Sequence, residues 1–488
     1  MARGTSAYGP ALSMAFASDT SREIGSGDRC RRERFGTQIN DASGEGLSKR
    51  PFGGRVAADL EQRKQKLSIL GNFGPPGNLG NEGTLQAILY HLRRLVPDAE
   101  VTCICTNPET VAAAYNIAAV GIHDVVVKSW TLRNPLARLV RNVFIGLPCE
   151  LYRWLKCLVT LSCTDVLIVP GTGLLTDAYG LINWGPYSIF KWSLGAKLTG
   201  CKLLFVSVGA GPLYSCLGRF FVKTALALAD FRSYRDTSTQ QYLKSIGFLR
   251  SNDRVYPDLV FSLPEAVIPK EGTKNKERAV VGLGVMEYAG KYSIERPNAA
   301  IYSRYLDTLV ILVTWLFAHG YDVRLIIGDT GDKAAIQEFR CLLNSRLSIH
   351  DSGRIIDEPT DSVEQLLSQL AATDIVVATR FHNVLLALLL NKPVISISFH
   401  HKCISLMRQM GLSEYCQDIH DLQADRLIEQ FCQLEKNSGS LKTMIREKVE
   451  RCRRVLDDQY RLIFEDSGTS VTRETIDQVT GDDLLPRN

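Results

Sequence analysis

The stretch "LSILGNFGPPGNLGNEGTLQAILYHLRRLVPDAEVTCICT", residues 67–106, decides the class of fold. Its first residues, "LSILG", are typical of a short buried strand, and a glycine-rich loop follows them. In "TLQAILYHLRRLV" the apolar residues recur at helical spacing, and "AEVTCICT" has the pattern of a second strand. Strand, loop, helix and strand in this order predict a βαβ unit with parallel strands.

The same pattern recurs along the chain. Strand-like runs that lead into turns occur at 164–177, 201–212, 229–247 and 255–261. After a linker at 262–278 that contains prolines and charges, strand and helix patterns alternate again from 279 to 402. Two such halves predict two Rossmann-like α/β domains facing a cleft, which is the architecture of B-type glycosyltransferases (GT-B).

We divide the chain into five parts on this basis. They are a disordered N-terminal extension (1–60), an N-terminal Rossmann-like domain (61–265), a C-terminal Rossmann-like domain (270–425), C-terminal helices (426–466) and a frayed tail (467–488).

The charge distribution argues against a nucleic-acid-binding body. The 488 residues carry a net charge of +5, and residues 1–66 contribute +4 of it, from 12 Lys and Arg against 8 Asp and Glu. The remainder is close to neutral and lacks the basic stripe that nucleic-acid recognition needs. We interpret the basic run "RCRRERF" at 29–35 as part of a solvated tail.

Cysteine usage and hydropathy point to the cytoplasm. The 13 cysteines include no CxxC pair, which argues against a metal site and suits a reducing compartment. The first 30 residues lack the apolar core of a signal peptide, and no run of 18 apolar residues without charge predicts a transmembrane helix.

The glycine-rich loop after the first strand is a candidate ligand-binding element. It lies at the carboxyl end of a strand and leads into a helix, where free N–H groups attract anions. Asn78, Asn81 and Glu82 offer hydrogen-bonding side chains suited to sugar hydroxyls. The glycine spacing matches neither the dinucleotide nor the P-loop pattern. A tight loop packed on its domain is the alternative interpretation.

Arg380 and His382 stand between two very apolar stretches in "ATRFHNVLLALLLNKPVISISFHHK", residues 378–402. The pattern places them at the carboxyl end of a strand and the start of a helix. Arg380 can grip a carboxylate or phosphate with a planar fork, and His382 can donate a hydrogen bond or transfer a proton. Lys402 follows the next strand. Alternatively, Arg380 pairs with a structural carboxylate and His382 satisfies a carbonyl; neither is expected to fill the core.

The first half offers a second group of charged residues. Arg235 is placed to face the cleft, and Asp236 is a candidate cap for the following helix. Asp258, in "YPDLVF", lies beside an apolar strand and is a candidate acid, with a turn-forming role as the alternative.

These motifs together resemble the polysaccharide pyruvyl transferase family over residues 67–425. The resemblance rests on "GNFGPPGNLGNEGTLQAIL", "DVLIVPGTGLLTD", "SVGAGP", "SYRDTSTQQYL", "YPDLVF" and the stretch after Thr379. The family's arginine-x-histidine falls on Arg380 and His382, its lysine on Lys402 and its first-domain arginine on Arg235. The sequence departs from the family at Pro75-Pro76 and in the turn Gly171-Thr172-Gly173.

The resemblance implies phosphoenolpyruvate as donor and a sugar or lipid-linked oligosaccharide as acceptor. With the cysteine usage, we expect an enzyme in the cytoplasm or at the inner face of its membrane. The donor would bind Arg235, Arg380, His382 and Lys402, the acceptor the first-domain loop, and His382, Asp236 and Asp258 would be catalytic. No cofactor or metal is implied. The alternatives are a nucleotide-sugar glycosyltransferase of the same fold and a non-catalytic sugar-binding protein.

The segment "NPLARLVRNVFIGLPCELYRWLKCLV", residues 134–159, mixes apolar and basic residues. The pattern favours a buried helical pair. The hypothesis weighed against it is a helical segment that rests on a membrane surface near a lipid-linked acceptor.

Overall fold

A computed structural model describes residues 64–74, 77–123, 134–178, 180–181, 185–269, 277–288, 299–346 and 353–464. The N-terminal extension predicted at 1–60 and the tail predicted at 467–488 lie outside the described residues, as does the Pro75-Pro76 insertion.

The first domain is built on a seven-stranded parallel sheet with the strand order β3-β2-β1-β4-β5-β6-β7. Its strands are β1 (Lys66–Leu70), β2 (Glu100–Cys105), β3 (Ala118–Gly121), β4 (Val166–Pro170), β5 (Lys202–Val208), β6 (Phe231–Tyr234) and β7 (Arg254–Val255). Its helices are α1 (Leu79–Leu95), α2 (Pro108–Tyr115), α3 (Pro135–Arg141), α4 (Leu147–Ser162), α5 (Pro186–Thr199), α6 (Cys216–Leu228) and α7 (Thr237–Ser245). A π-helical turn, Asn142–Gly146, joins α3 to α4.

The second domain has a six-stranded parallel sheet with the order β10-β9-β8-β11-β12-β13. Its strands are β8 (Val280–Gly284), β9 (Asp322–Ile326), β10 (Ile355–Ile356), β11 (Ile375–Ala378), β12 (Val394–Ser398) and β13 (Cys416–Asp418). Its helices are α8 (Ala299–Ala318), α9 (Lys333–Asn344), α10 (Val363–Ala371), α11 (Phe381–Leu389) and α12 (His401–Gln409), and α13 (Ala424–Lys436) and α14 (Ser438–Phe464) follow. Two Rossmann-like domains confirm the predicted fold class.

Local sequence explains where the elements begin. Helix α1 starts at Asn78, whose side-chain oxygen accepts a hydrogen bond from the backbone N–H of Gly80 at 2.9 Å. Glu82 lies in its first turn, and Arg93 and Arg94 lie in its last, so their charges complement the helix dipole.

The prediction of a strand at 255–261 is wrong beyond its first residue. Arg254–Val255 form the strand, the N–H of Tyr256 still donates to the carbonyl of Tyr234 at 2.8 Å, and Leu259–Ser262 form a 3₁₀ turn capped by Asp258. The physical reason is Pro257, which has no N–H to donate to a strand ladder.

One apolar core runs through both domains. It joins the face of the first sheet that carries α1 to the second sheet, with residues such as Leu85, Val260, Val363 and Leu385 buried together. Helix α14 returns to the first domain, where Gln459 hydrogen-bonds the hydroxyls of Ser207 and Ser233. The two sheets are therefore held in a fixed relation that aligns their loops.

Helix α8 is a core helix of the second domain. Among the described residues it is the one helix whose length and composition would let it cross a membrane, but 56% of its apolar window is buried inside the protein. Its inward face includes Leu309, Val313 and Leu316, which have no exposed surface.

Candidate active site

Strand order determines where polar side chains collect. In each sheet the order reverses at one point, between β1 and β4 in the first domain and between β8 and β11 in the second. Ligands of open α/β sheets bind outside the carboxyl ends of strands at such points. The glycine-rich loop follows β1, and Arg380 and His382 follow β11, so both predicted elements lie at these positions.

The start of α1, at the end of the glycine-rich loop, contacts the second domain. The N–H of Leu79 donates to the carbonyl of Gly328 at 3.1 Å, and Asn78 forms an antiparallel bridge with Asp329. The start of α1 also lies against the start of α11: a Cβ atom added to Gly80 would fall 1.9 Å from Cγ of His382. Two helix N-termini therefore converge, which favours negative charge between them.

His382 is buried, with 9% of its surface exposed, so the expectation that it stays out of the core is wrong. Its Nε2 has no hydrogen-bond partner in the structure. Burial lowers the pKa of His382 to about 4, with Asp258 opposing the shift and Arg235 adding to it. The ring is therefore neutral at pH 7 in the absence of ligand and can accept a proton.

Arg235 extends from the end of β6 toward the second domain. Its guanidinium lies 4.7 Å from the centre of the Phe381 ring, and its Nη1 donates to Asp258 at 3.2 Å. Gly209 permits this position, since a Cβ atom there would fall 2.6 Å from Nε of Arg235. Arg235 thus reaches the start of α11 from the opposite domain, as the sequence predicts.

Lys402 lies in the first turn of α12, after β12. Burial, and then the charge of Arg235, lower the pKa of Lys402 to about 7. His400 caps the same helix, and its Nδ1 accepts the N–H of Lys402 at 3.3 Å. Burial also holds the pKa of His400 well below its usual value, which fits a neutral capping role.

Arg380 is held by a carboxylate that the sequence analysis did not single out. Its Nε and Nη2 donate to the two oxygens of Asp332, at 2.9 and 2.6 Å. Asp332 is fully buried and also accepts the N–H of Glu287 at 3.0 Å. This matches the alternative interpretation of Arg380, a structural pair, and leaves its donor-binding role a prediction.

The two aspartates of the first domain have structural bonds. Asp236 caps α7 and accepts the N–H of Thr239 at 2.6 Å. Burial raises the pKa of Asp236, but the charge of Arg235 and hydrogen bonds from Ser238 and Thr239 outweigh it, so the pKa lies below its usual value. Asp258 caps the 3₁₀ turn and orients Arg235. Their catalytic roles remain predictions.

The three residues predicted to bind the acceptor have different surroundings. Asn78 caps α1, and Asn81 is buried and donates to the carbonyl of Asn72 at 3.1 Å. Burial and the neighbouring Glu364 raise the pKa of Glu82 to about 7. Glu82 is therefore the residue of the three whose charge changes near neutral pH.

Asn383 is a buried residue that the sequence analysis missed. Its side chain has no exposed surface, and both its amide oxygen and nitrogen lack partners in the structure. Buried amides without partners are rare and mark places where water or a ligand binds. The only signal in the sequence is its position directly after His382, in the first turn of α11.

Within the described ranges, no group of three or more His, Cys, Asp or Glu side chains is arranged to hold a metal ion. The fold, with a cationic site where two Rossmann-like domains meet, is of the GT-B type.

Comparison with known proteins identifies the family. The polysaccharide pyruvyl transferase family matches residues 78–401, which is more than half of the chain. The chain belongs to that family, and the predicted resemblance is confirmed.

A curated relative matches a smaller part of the chain. The amylovoran biosynthesis protein AmsJ of Erwinia amylovora is 22% identical over 143 residues, which cover 29% of this chain and 34% of AmsJ. The match thus spans about a third of that relative.

The solved structures show the fold alone. A glycosyltransferase from Rickettsia africae has a TM-score of 0.50 at 11% identity, covering 83% of this chain and all of its own. MnaA of S. aureus with UDP also gives 0.50 at 12% identity, over 78% of this chain and 90% of MnaA.

Proposed function

We propose that this protein transfers the enolpyruvyl-derived group of phosphoenolpyruvate onto two hydroxyls of a sugar, in an exopolysaccharide or its precursor. One observation supports this most strongly: Arg235 of the first domain lies 4.7 Å from the centre of the Phe381 ring, at the start of α11 in the second domain. The buried Arg235, the half-buried Lys402 and the N-terminus of α11 together favour an anion with more than one negative group.

Phosphoenolpyruvate has that chemistry, because a carboxylate and a phosphate stand on a three-carbon skeleton. In our proposal Arg235, oriented by Asp258, binds one group in a planar fork. Lys402 binds the other as a point charge. Arg380 adds positive charge from its paired position beside Asp332, and the N–H groups of α11 complete the anion site.

The proposed reaction changes the bonds at C2 and C3 of phosphoenolpyruvate. A proton adds to C3, which becomes a methyl group, and C2 becomes oxocarbenium-like. One sugar hydroxyl forms a bond to C2, the bond from C2 to the phosphate oxygen breaks, and inorganic phosphate leaves. A second hydroxyl closes the cyclic ketal at C2. Of the two hydroxyl protons released, one balances the proton gained by C3 and the other goes to phosphate or solvent.

We assign proton transfer to His382. Its neutral ring can accept a hydroxyl proton, and binding of an anionic donor would raise its pKa from about 4 toward neutrality. Asp236 is less suited to this role because its hydrogen bonds to Ser238 and Thr239 stabilise the ionised form. Positive charge at the leaving phosphate then stabilises the transition state.

We further propose that the enzyme works in the cytoplasm, without metal or cofactor, on an acceptor that binds near Glu82. The twelve cysteines among the described residues are all free, which suits a reducing compartment. The proposed steps need an acid, a base and fixed positive charge, and the chain supplies groups of each kind. Activity that survives a chelator would support this, and loss restored by one metal would refute it.

Donor choice separates this proposal from its alternatives. Calorimetry should detect binding of phosphoenolpyruvate and none of UDP-sugars, and Arg235→Lys should weaken it by about tenfold or more, since the fork is lost. Lys197→Gln, at an exposed ion pair with Asp230, is the matched control and should bind normally. Preference for a nucleotide sugar would identify a glycosyltransferase, and sugar binding without turnover would indicate a non-catalytic protein.

A further inference from the structure

The helical arm from α3 to α4, residues 135–162, exposes a continuous apolar stripe. Its members recur every three or four residues and are 47–73% exposed; they are Leu136, Leu139, Val140, Val143, Phe144, Leu147, Leu151, Leu155 and Val159. The prediction of a buried helical pair is therefore wrong. From Leu136 to Val159 the stripe extends for about 35 Å. An apolar patch of this extent marks an interaction surface.

Charge along the arm has one sign toward solvent. The arm contains Arg138, Arg141, Arg153 and Lys156 but a single acidic residue, Glu150. The Glu150 carboxylate accepts hydrogen bonds from Tyr187 at 2.9 Å, from the buried Lys191 at 3.0 Å and from Arg153 of the arm itself at 3.2 Å. Glu150 and Arg153 offset each other, and the arm keeps a net positive charge. An apolar stripe flanked by basic residues fits an anionic surface.

A cavity of about 480 Å³ lies in the same domain, between α6 and residues 247–250. Its lining combines cations with apolar side chains: Arg219, Lys223, Arg250, Phe220, Phe248 and Leu249.

Ring contacts connect this cavity to the arm. Trp154 of α4 donates to the hydroxyl of Tyr187, Tyr187 packs on Phe221 and Phe221 on Phe220. Helix α5, which carries Tyr187, therefore packs between the arm and α6, and the cavity on α6 has room and charge for a lipid phosphate.

We propose that the exposed apolar side of the arm is a docking face for an anionic lipid bilayer, with α3 and α4 lying in the plane of the headgroups. A second copy of the chain fits less well, because a two-fold interface would bring the same basic residues against each other. The docking face does not include the residues proposed for catalysis, and its test does not depend on turnover.

Flotation of the full chain with vesicles tests the proposal. We expect association with phosphatidylglycerol vesicles at low salt, weaker association at physiological salt and little with phosphatidylcholine alone. The double variant Leu151→Glu, Leu155→Glu should reduce association by about tenfold or more. Ile311→Glu is the matched control, since Ile311 is 43% exposed on α8 of the other domain, and should bind as the wild type does.

A second pair of changes, Val143→Gln with Phe144→Gln, keeps the test valid if the first variant does not fold. Arg250→Glu removes a cation from the cavity, so it should weaken binding to phosphatidylglycerol vesicles and leave the weak binding to phosphatidylcholine vesicles unchanged. The proposal is overturned if the wild type does not float, or if both double variants float as well as the wild type, which would assign binding to another part of the chain. It is also overturned if light scattering shows a dimer that the variants dissociate and neither form binds vesicles.

Discussion

Gly80 and His382 are in direct contact across the domain boundary, and no side chain larger than hydrogen fits at residue 80. A Cβ atom there would overlap the imidazole ring at 1.9–2.3 Å. The position of the proposed proton-transfer group therefore depends on a glycine in the other domain.

Gly80→Ala should displace His382 and lower both turnover and stability. Overpacking of this kind costs about 1–3 kcal/mol, and a shifted ring no longer reaches the donor. Gly83→Ala is the matched control in the same helix, because its new Cβ would meet only ordinary contacts at 3.6 Å. Steady-state kinetics and thermal unfolding on both variants measure the effect. Normal turnover in Gly80→Ala would show that the ring position is unimportant.

Arg380→Gln should destabilise the protein by about 3–5 kcal/mol, because it leaves the buried carboxylate of Asp332 without its ionic partner. Lys333→Gln breaks a pair with Asp361 in which both side chains are more than half exposed, so it should cost at most about 1 kcal/mol. Denaturant titration compares the two. If Arg380→Gln unfolds like the wild type but binds phosphoenolpyruvate poorly, the arginine serves the donor and not the fold.

Donor capture should decline above about pH 7. Lys402 has a pKa of about 7 in the free protein, so it loses its charge as the pH rises and no longer attracts the anion. The value of kcat/KM reports free-enzyme pKa values and should fall on this alkaline limb. In Lys402→Arg the limb should disappear, since arginine stays charged. An unchanged limb in that variant would assign it to another group.

Glu82→Gln should stabilise the protein at pH 8 by about 1–2 kcal/mol, allowing for solvent screening, and have little effect at pH 5. The pKa of Glu82 is raised to about 7, so the folded state holds a proton that the unfolded state has lost. Stability therefore falls as the pH rises from the ordinary carboxyl pKa toward 7. Denaturant titrations of both proteins across this range give the difference. A difference independent of pH would refute the prediction.

The fold could be predicted because its signals are local. Each βαβ unit shows its strand, glycine turn and helix within about forty residues, and the fixed hand of such units leaves few arrangements. The edge strands β7, β10 and β13, with two or three residues each, are too short to leave a pattern. The 3₁₀ turn after Asp258 was mistaken for a strand because its residues are as apolar as a strand's.

The site could be predicted in part. Arg235, His382 and Lys402 come together because each follows a strand end, which the sequence reveals. The partners of these groups could not be predicted: Asp332 is 48 residues from Arg380, and Gly80 is in the other domain from His382. The first pairing depends on tertiary packing within the second domain and the second on how the two domains pack, and no local pattern encodes either.

Mass spectrometry of the acceptor glycan, with phosphate release followed on the same samples, tests pyruvyl transfer most directly. With phosphoenolpyruvate the wild type should add to the glycan the mass of one pyruvic acid less one water, with one phosphate released per ketal. His382→Asn should slow this by about 10²–10⁴-fold, because it loses proton transfer. A glycan unchanged by phosphoenolpyruvate but extended by a nucleotide sugar would contradict the proposed reaction, and full activity in His382→Asn would contradict the proposed site.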